Sequence, residues 1–145
     1  MAAIIRDTLA EFNADRPGTV FFDPSTDSLF ELFQKPRSIY FVVLIDRSIA
    51  GGAGIFPSEG LPEDTCELVK MYLLPHARGK GIGKLLIEKC LDFARQQDYK
   101  RVYLETLPEL RKAIHVYEKF NFDYLPGPLG DTGHFGCDVW MIKEL

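Results

Sequence analysis

From Cys66 to Gly83 the chain reads CELVKMYLLPHARGKGIG. An apolar, strand-like run of about Thr65–Leu74 stops at Pro75, and Arg78-Gly79-Lys80-Gly81-Ile82-Gly83 then opens a helix. That helix is predicted over about Gly81–Gln97. Gly83, Leu86, Ile87, Cys90, Leu91 and Ala94 form one stripe, with Lys84, Glu88, Asp92 and Arg95 opposite. A second β-prone run, Arg101–Thr106, follows. Strand, helix, strand in that order implies a right-handed parallel crossover, and therefore a sheet that is at least partly parallel. This stretch decides the fold class: α+β, with a mixed sheet flanked by helices.

The glycine-rich turn inside this unit also has a chemical reading. The first N–H groups of a helix lack intrahelical partners, and the helix dipole places partial positive charge there. Glycines let a phosphate approach those groups, and Arg78 and Lys80 add charge beside them. The spacing narrows the ligand. A dinucleotide fingerprint needs a sixth-position glycine, but the sixth residue from Gly79 is Lys84. A P-loop ending in Gly83-Lys84 would need glycine where Arg78 stands and a magnesium-binding Ser or Thr where Leu85 stands. Neither signature matches, so a nucleotide-binding protein is disfavoured.

Working outward, residues from about Ala3 to Asn13 carry Ile4, Ile5, Leu9 and Phe12 at helical spacing, and Asp27 or Ser28 is placed to cap a short second helix. Two β-rich runs, about Ser38–Ile45 and Ala50–Phe56, flank Asp46-Arg47-Ser48 as a hairpin turn. After Thr106 come a helix of about Pro108–Phe120, a glycine-rich loop, and a last strand near Gly136–Lys143. No repeat or linker breaks the chain, so residues 1–145 read as one domain.

Arg78, Gly81 and Gly83 satisfy R-x-x-G-x-G, and Ala113-Ile114-His115-Val116-Tyr117-Glu118-Lys119-Phe120-Asn121-Phe122 follows two elements later. Together they resemble the acetyl-CoA loop and the A-x-x-x-Y-E-K-x-G-F helix end of the GNAT superfamily of N-acetyltransferases. The resemblance runs from about Ser38 to Phe122. It implies a GNAT-like sheet and acetyl-CoA as co-substrate, with Arg78, Gly79, Lys80, Gly81, Ile82, Gly83 and Lys84 holding the pyrophosphate. It also implies that the backbone of Met71, Tyr72 and Leu73 pairs with the pantetheine arm and polarises the thioester carbonyl. Tyr117 matches the family tyrosine that assists thiolate departure. Read from spacing alone, Tyr117 shares a helix face with Leu110, Ala113 and Ile114 and would pass for a core residue.

Amine attack also requires a base, because an ammonium has no lone pair. Glu67, at the start of the central strand, stands where some family members keep a glutamate base. A surface carboxylate or a water-holding group is its competing reading. Glu105 is a candidate for binding the substrate ammonium, and His134, in a G-H-x-x-C-x-x-W tail, for reaching the acceptor pocket or holding a loop. His115 lies about 200° from Tyr117 around a helix and is expected to face solvent. Three departures from the pattern stand out. The helix pattern starts almost at Met1, so the family's first strand is either absent or trimmed from a longer protein; without it Ser38–Ile45 is expected at or near the sheet margin, as a candidate homodimer contact. Leu110 replaces a common cofactor-binding asparagine, and Asn121 replaces a glycine.

Composition bounds the rest. At 145 residues and 46% hydrophobic, the chain supports one buried core. A net charge of −4 gives no basic field for nucleic acid or an anionic membrane, and the longest apolar run, Ile39–Ile45, is far below a bilayer span. The three cysteines, Cys66, Cys90 and Cys137, lack CxxC spacing, which points away from disulfides or a metal and toward a cytoplasmic location. The expected function is acetyl transfer from acetyl-CoA to a primary amine of a small or amino-acid-like molecule, by direct attack in a ternary complex. A non-catalytic acyl-CoA-binding module is the alternative.

Overall fold

A computed structural model describes residues 1–145. Its elements are α1 (Ala2–Glu11), α2 (Leu29–Leu32), β1 (Ile39–Ile45), β2 (Ser48–Phe56), β3 (Thr65–Leu73), α3 (Ile82–Gln96), β4 (Arg101–Thr106), α4 (Arg111–Lys119), β5 (Asp123–Leu125) and β6 (Val139–Glu144). The six strands form one sheet in the order β1-β2-β3-β4-β6-β5. Only β3 and β4 run parallel, across the α3 crossover. The expected α+β class and mixed sheet are observed, and β1 is an edge strand. No helix is long and apolar enough to cross a membrane.

Local chemistry accounts for most boundaries. The β1–β2 hairpin turns on Asp46 and Arg47, whose φ values of 49° and 66° are those of a two-residue turn that follows the strand twist. Asp23, rather than the expected Asp27 or Ser28, does the capping near α2: its carboxylate accepts from the Ser25 N–H at 2.9 Å at the start of a 3₁₀ turn, Pro24–Ser28. Asp27 instead pairs with Arg6 of α1 at 2.7 Å. The last long helix begins at Arg111, not Pro108, and the last strand at Val139, not Gly136. The sequence reading missed β5, a three-residue strand. Asn121 takes φ 60°, a left-handed conformation that asparagine tolerates best among non-glycine residues.

The strand alternation of β3 breaks in the middle, and this break positions the site. Cys66 and Leu68 enter the main core with Ile87, Cys90 and Leu91 of α3, which sends Glu67 to the opposite face. Further along, Met71 and Leu73 pack on that same core, while Tyr72 packs with Ile5 and Leu9 of α1. The parity has flipped. The cause is a β-bulge: Gly52 pairs with Tyr72 but Gly54 pairs with Val69, so Lys70 and Met71 together oppose Ala53. Lys70 sits at φ 50°, a strained value for a non-glycine residue.

Glycines in β2 support the bulge. A β-carbon at Gly52 would lie 2.6 Å from the Tyr40 ring, and one at Gly54 would lie 2.7 Å from both Tyr40 and Phe33. With no side chain there, Tyr40 reaches from β1 over β2 and donates its hydroxyl to the Lys70 carbonyl at 2.8 Å.

Candidate active site

β3 and β4 pair only from Thr65↔Arg101 to Glu67↔Tyr103. Beyond that point they separate, so Leu68–Leu73 present an edge with no strand partner on the β4 side. Glu67 stands where the strands part, and the residue is 3% exposed. Two cavities meet here. One, of about 500 Å³, is lined on its polar side by Asp23, Ser58, Glu67, Lys70 and His134. The other is a narrow slot that Glu67 and His134 share with Met71, Leu110, Ala113 and Tyr117. Glu67 therefore borders both the open cavity and the slot that reaches Tyr117.

A polar network holds these groups. Glu67 accepts from the Ser58 hydroxyl. One carboxylate oxygen of Glu67, one of Glu105 and a ring nitrogen of His134 lie within 4.8 Å of one another. Glu105 accepts from the Tyr103 hydroxyl at 2.7 Å and from the Thr132 hydroxyl at 2.8 Å, so both its oxygens are already engaged. His134 stands between two carboxylates, with Nδ1 at 3.8 Å from Glu105 and Nε2 at 3.4 Å from Asp23. Asp23 also receives Lys70 Nζ at 2.6 Å, and Lys70 reaches Thr26 Oγ1 at 3.3 Å. Burial raises the Glu67 carboxyl from its ordinary 4.5 to about 7, with the Ser58 hydrogen bond opposing and the Glu105 charge assisting. Burial also acts upward on Asp23, but hydrogen bonds from His134, Lys70 and Ser25 outweigh it and hold that carboxyl well below its usual range.

Tyr117 is 6% exposed, and its ring meets Phe122 edge-on at 5.9 Å. Its hydroxyl has one hydrogen-bond partner, the Met71 sulfur at 3.8 Å, across the slot. Burial keeps the phenol protonated well past its ordinary range, so it is a donor at neutral pH. His115 is exposed on the opposite side of α4, as its helical position predicts.

At the glycine-rich turn, Gly79 and Gly81 have φ values of 72° and 78°, and a β-carbon on either would meet no atom within 4 Å. Gly81 is the N-cap of α3 and provides no side-chain cap, which leaves the first helical N–H groups open. Lys80 is exposed, and Lys84 is paired loosely with Glu88 at 3.7 Å. Arg78 is used differently. Its Nε donates to the Leu73 carbonyl at 2.8 Å, and its guanidinium makes a two-pronged pair with Glu11 of α1 at 2.7 and 2.8 Å. A thioester carrying a long pantetheine arm and a pyrophosphate suits this arrangement: an unpaired strand edge leads from Glu67 to an uncapped, glycine-lined helix start.

Sequence reasoning named Glu67, Glu105, Tyr117 and His134, and three of these four share one cluster, with Tyr117 across the slot. It missed Asp23, Ser58, Lys70 and Thr132. A charged lysine interrupting the apolar run Leu68-Val69-Lys70-Met71-Tyr72 was the available signal for Lys70.

The family model described as acetyltransferase (GNAT) matches residues 5–122. The chain belongs to the GNAT family. Over 147 aligned residues it is 42% identical to an uncharacterised N-acetyltransferase, YjgM, of Escherichia coli K12, covering 100% of this chain and 87% of that protein. A GNAT acetyltransferase structure from Staphylococcus aureus superposes with TM-score 0.80 at 19% identity, covering 98% of this chain and 89% of the other. A PaiA N-acetyltransferase from Thermoplasma acidophilum, in complex with coenzyme A, gives 0.75 at 15% identity, covering 99% and 90%. The GNAT assignment makes this protein an acetyltransferase that uses acetyl-CoA as co-substrate.

Proposed function

We propose that this GNAT protein acetylates a primary amine of a small molecule, with donor and acceptor bound together. The observation that carries the reading is the buried Glu67, held at the meeting point of the acceptor-sized cavity and the slot leading to Tyr117. Acetyl-CoA supplies an activated acyl thioester, and everything else falls to the chain.

The open N–H groups from Gly79 to Lys84, with the charges of Lys80 and Lys84, receive the pyrophosphate. The free edge at Met71, Tyr72 and Leu73 pairs with the pantetheine arm as an extra strand would. An N–H of that edge, next to the Lys70 bulge, is the oxyanion donor. Arg78 contributes by fixing this edge to α1 through Leu73 and Glu11.

Glu67 takes the ammonium proton. Its raised carboxyl is ionised above about pH 7 and is basic enough to accept a proton there. His134 and Glu105 set the electrostatics around it, and because both Glu105 oxygens are engaged, Glu105 acts as a fixed charge rather than a free ligand. Tyr117 Oη donates a hydrogen bond to the departing sulfur as thiolate charge develops. A phenol held above its ordinary range keeps its own proton against a thiol near 8.5, so it stabilises the thiolate and solvent completes the protonation. A passive acyl-CoA-binding module would leave an ionisable carboxylate buried at desolvation cost and without use.

The test is the release of free CoA when the protein is mixed with acetyl-CoA and a panel of primary amines. Turnover that depends on the added amine supports the reading, and equal background release with every amine overturns it.

A further inference from the structure

We infer that the acceptor is an apolar primary amine without a carboxylate, an arylalkylamine in type, because the cavity beside Glu67 has aromatic sides and no unspent cation. The inference rests on the acetyl-transfer reading above and narrows it, removing free amino acids from the acceptor class.

Two basic side chains line the cavity, Lys70 and His134. Lys70 has its ammonium 2.6 Å from Asp23 Oδ2 and 3.3 Å from Thr26 Oγ1, and the residue is 6% exposed. His134 lies between Asp23 at 3.4 Å and Glu105 at 3.8 Å. Both are thus occupied by carboxylates of the protein itself. The remaining charges are acidic: Glu67 at the floor, and Glu59 and Asp131 on exposed positions of the wall. An acceptor carboxylate entering here would shed water, find no free cation among the lining side chains and face like charge. An ammonium meets the opposite situation.

The apolar part of the lining selects what the amine is attached to. Val69, Leu32 and Phe56 form the walls, and Phe22 and Phe135 border the opening while 57% and 82% exposed. Phe135 is held in place: its ring lies over Gly18, where a β-carbon would come within 2.5 Å, and the Gly136 N–H donates to the Gly18 carbonyl at 2.8 Å. Two exposed aromatic faces on a cavity of about 500 Å³ suit a flat apolar group carried by a small molecule.

The experiment measures kcat/KM at fixed acetyl-CoA for phenethylamine, ethylamine, L-phenylalanine and an apolar tetrapeptide. Phenethylamine is expected to exceed both ethylamine and L-phenylalanine by at least tenfold and to exceed the peptide. Equal or better use of L-phenylalanine overturns the charge argument. Better use of ethylamine overturns the aromatic one, and better use of the tetrapeptide assigns the site to a protein N-terminus instead. Amine-independent CoA release overturns the acetyl-transfer reading itself, which is a different result from poor discrimination.

Two variants probe the cause. Asp23→Asn keeps an oxygen to cap Ser25 but frees Lys70, so the preference for phenethylamine over L-phenylalanine should shrink at least threefold. An unchanged ratio in folded protein overturns the pairing argument, and the wild-type panel decides the case if the variant fails to fold. Phe135→Ala removes a largely exposed ring and should lower the phenethylamine-to-ethylamine ratio at least threefold. No change there removes Phe135 from the acceptor site.

Discussion

Glu67 and Tyr117 lead to separable outcomes at the scale of single residues. Glu67→Gln keeps the volume but cannot accept a proton, so kcat is expected to fall about 10²-fold or more. The wild-type kcat should fall on the acid side of about pH 7, where the carboxyl becomes protonated, and the variant should lose that limb. A pH–rate series at saturating substrates checks this. Stability moves in a definite direction as well. The folded carboxyl binds its proton more tightly than the unfolded one, so the wild type loses stability as pH rises from 4.5 to about 7, whereas glutamine carries no such cost. The variant's advantage should therefore be small at pH 4 and reach up to about 3 kcal/mol at pH 8, read by denaturant unfolding at both values. Tyr117→Phe should reduce kcat at least tenfold while leaving the melting temperature within about 2 °C, because the hydroxyl's only hydrogen-bond partner is a sulfur at 3.8 Å and the ring still packs on Phe122. A drop below threefold in kcat would return Tyr117 to the core. Both residues could be proposed from sequence because Tyr117 lies in the Ala113–Phe122 helix end and Glu67 at the start of the central strand, each matching a family position. Asp23 was not: it meets Lys70 across 47 positions and His134 across 111, and no local periodicity encodes such a contact.

At the scale of elements, the α3 start carries the cofactor prediction. Gly81→Asp places a β-carbon and a negative charge in open space beside the uncapped N–H groups of α3. The rise in melting temperature produced by acetyl-CoA should disappear, because the ligand then stabilises the folded state no more than the unfolded one. The unliganded variant should lose only about 1–2 kcal/mol, the cost of a non-glycine residue at φ 78°. A preserved ligand shift, followed by scanning calorimetry, would move the pyrophosphate elsewhere. The stripe of α3 was readable because its buried residues, Leu86, Ile87, Cys90, Leu91 and Ala94, recur at helical spacing, and the hairpin was readable from its polar turn. The bulge was not. An extra residue in a strand changes nothing in composition, and only the opposite destinations of Leu68 and Met71 relative to their spacing expose it. The late start of α4 has a similar cause: Pro108 suits a first helical turn, but the chain is still in a turn there and the helix begins at Arg111.

On the scale of the whole molecule, the sheet ends at β1. Ile39, Phe41 and Val43 pack against the core, whereas Val42 and Leu44 on the other face are 48% and 64% exposed, and Ile49 of β2 beside them is 44% exposed. The outer edge of β1 also carries backbone donors and acceptors with no strand opposite. These two features fall on the same seven residues. A second copy meets such an edge naturally, since a strand laid antiparallel to itself about a two-fold axis pairs the same residues on both sides. The extended sheet would satisfy the backbone groups and cover Leu44 and Val42 together. Sedimentation over a tenfold dilution series at micromolar concentration is therefore expected to show a concentration-dependent dimer of the 16.5 kDa chain. Leu44→Lys, which puts a charge on the exposed face without touching the core-facing residues, should shift the distribution to monomer and leave the acetyl-CoA-induced melting shift intact, because β1 lies at the far side of β2 from the β3–β4 opening. A clean monomer for the wild type at every dilution would mean that the edge stays solvated. In that case Val42 and Leu44 are simply exposed apolar residues.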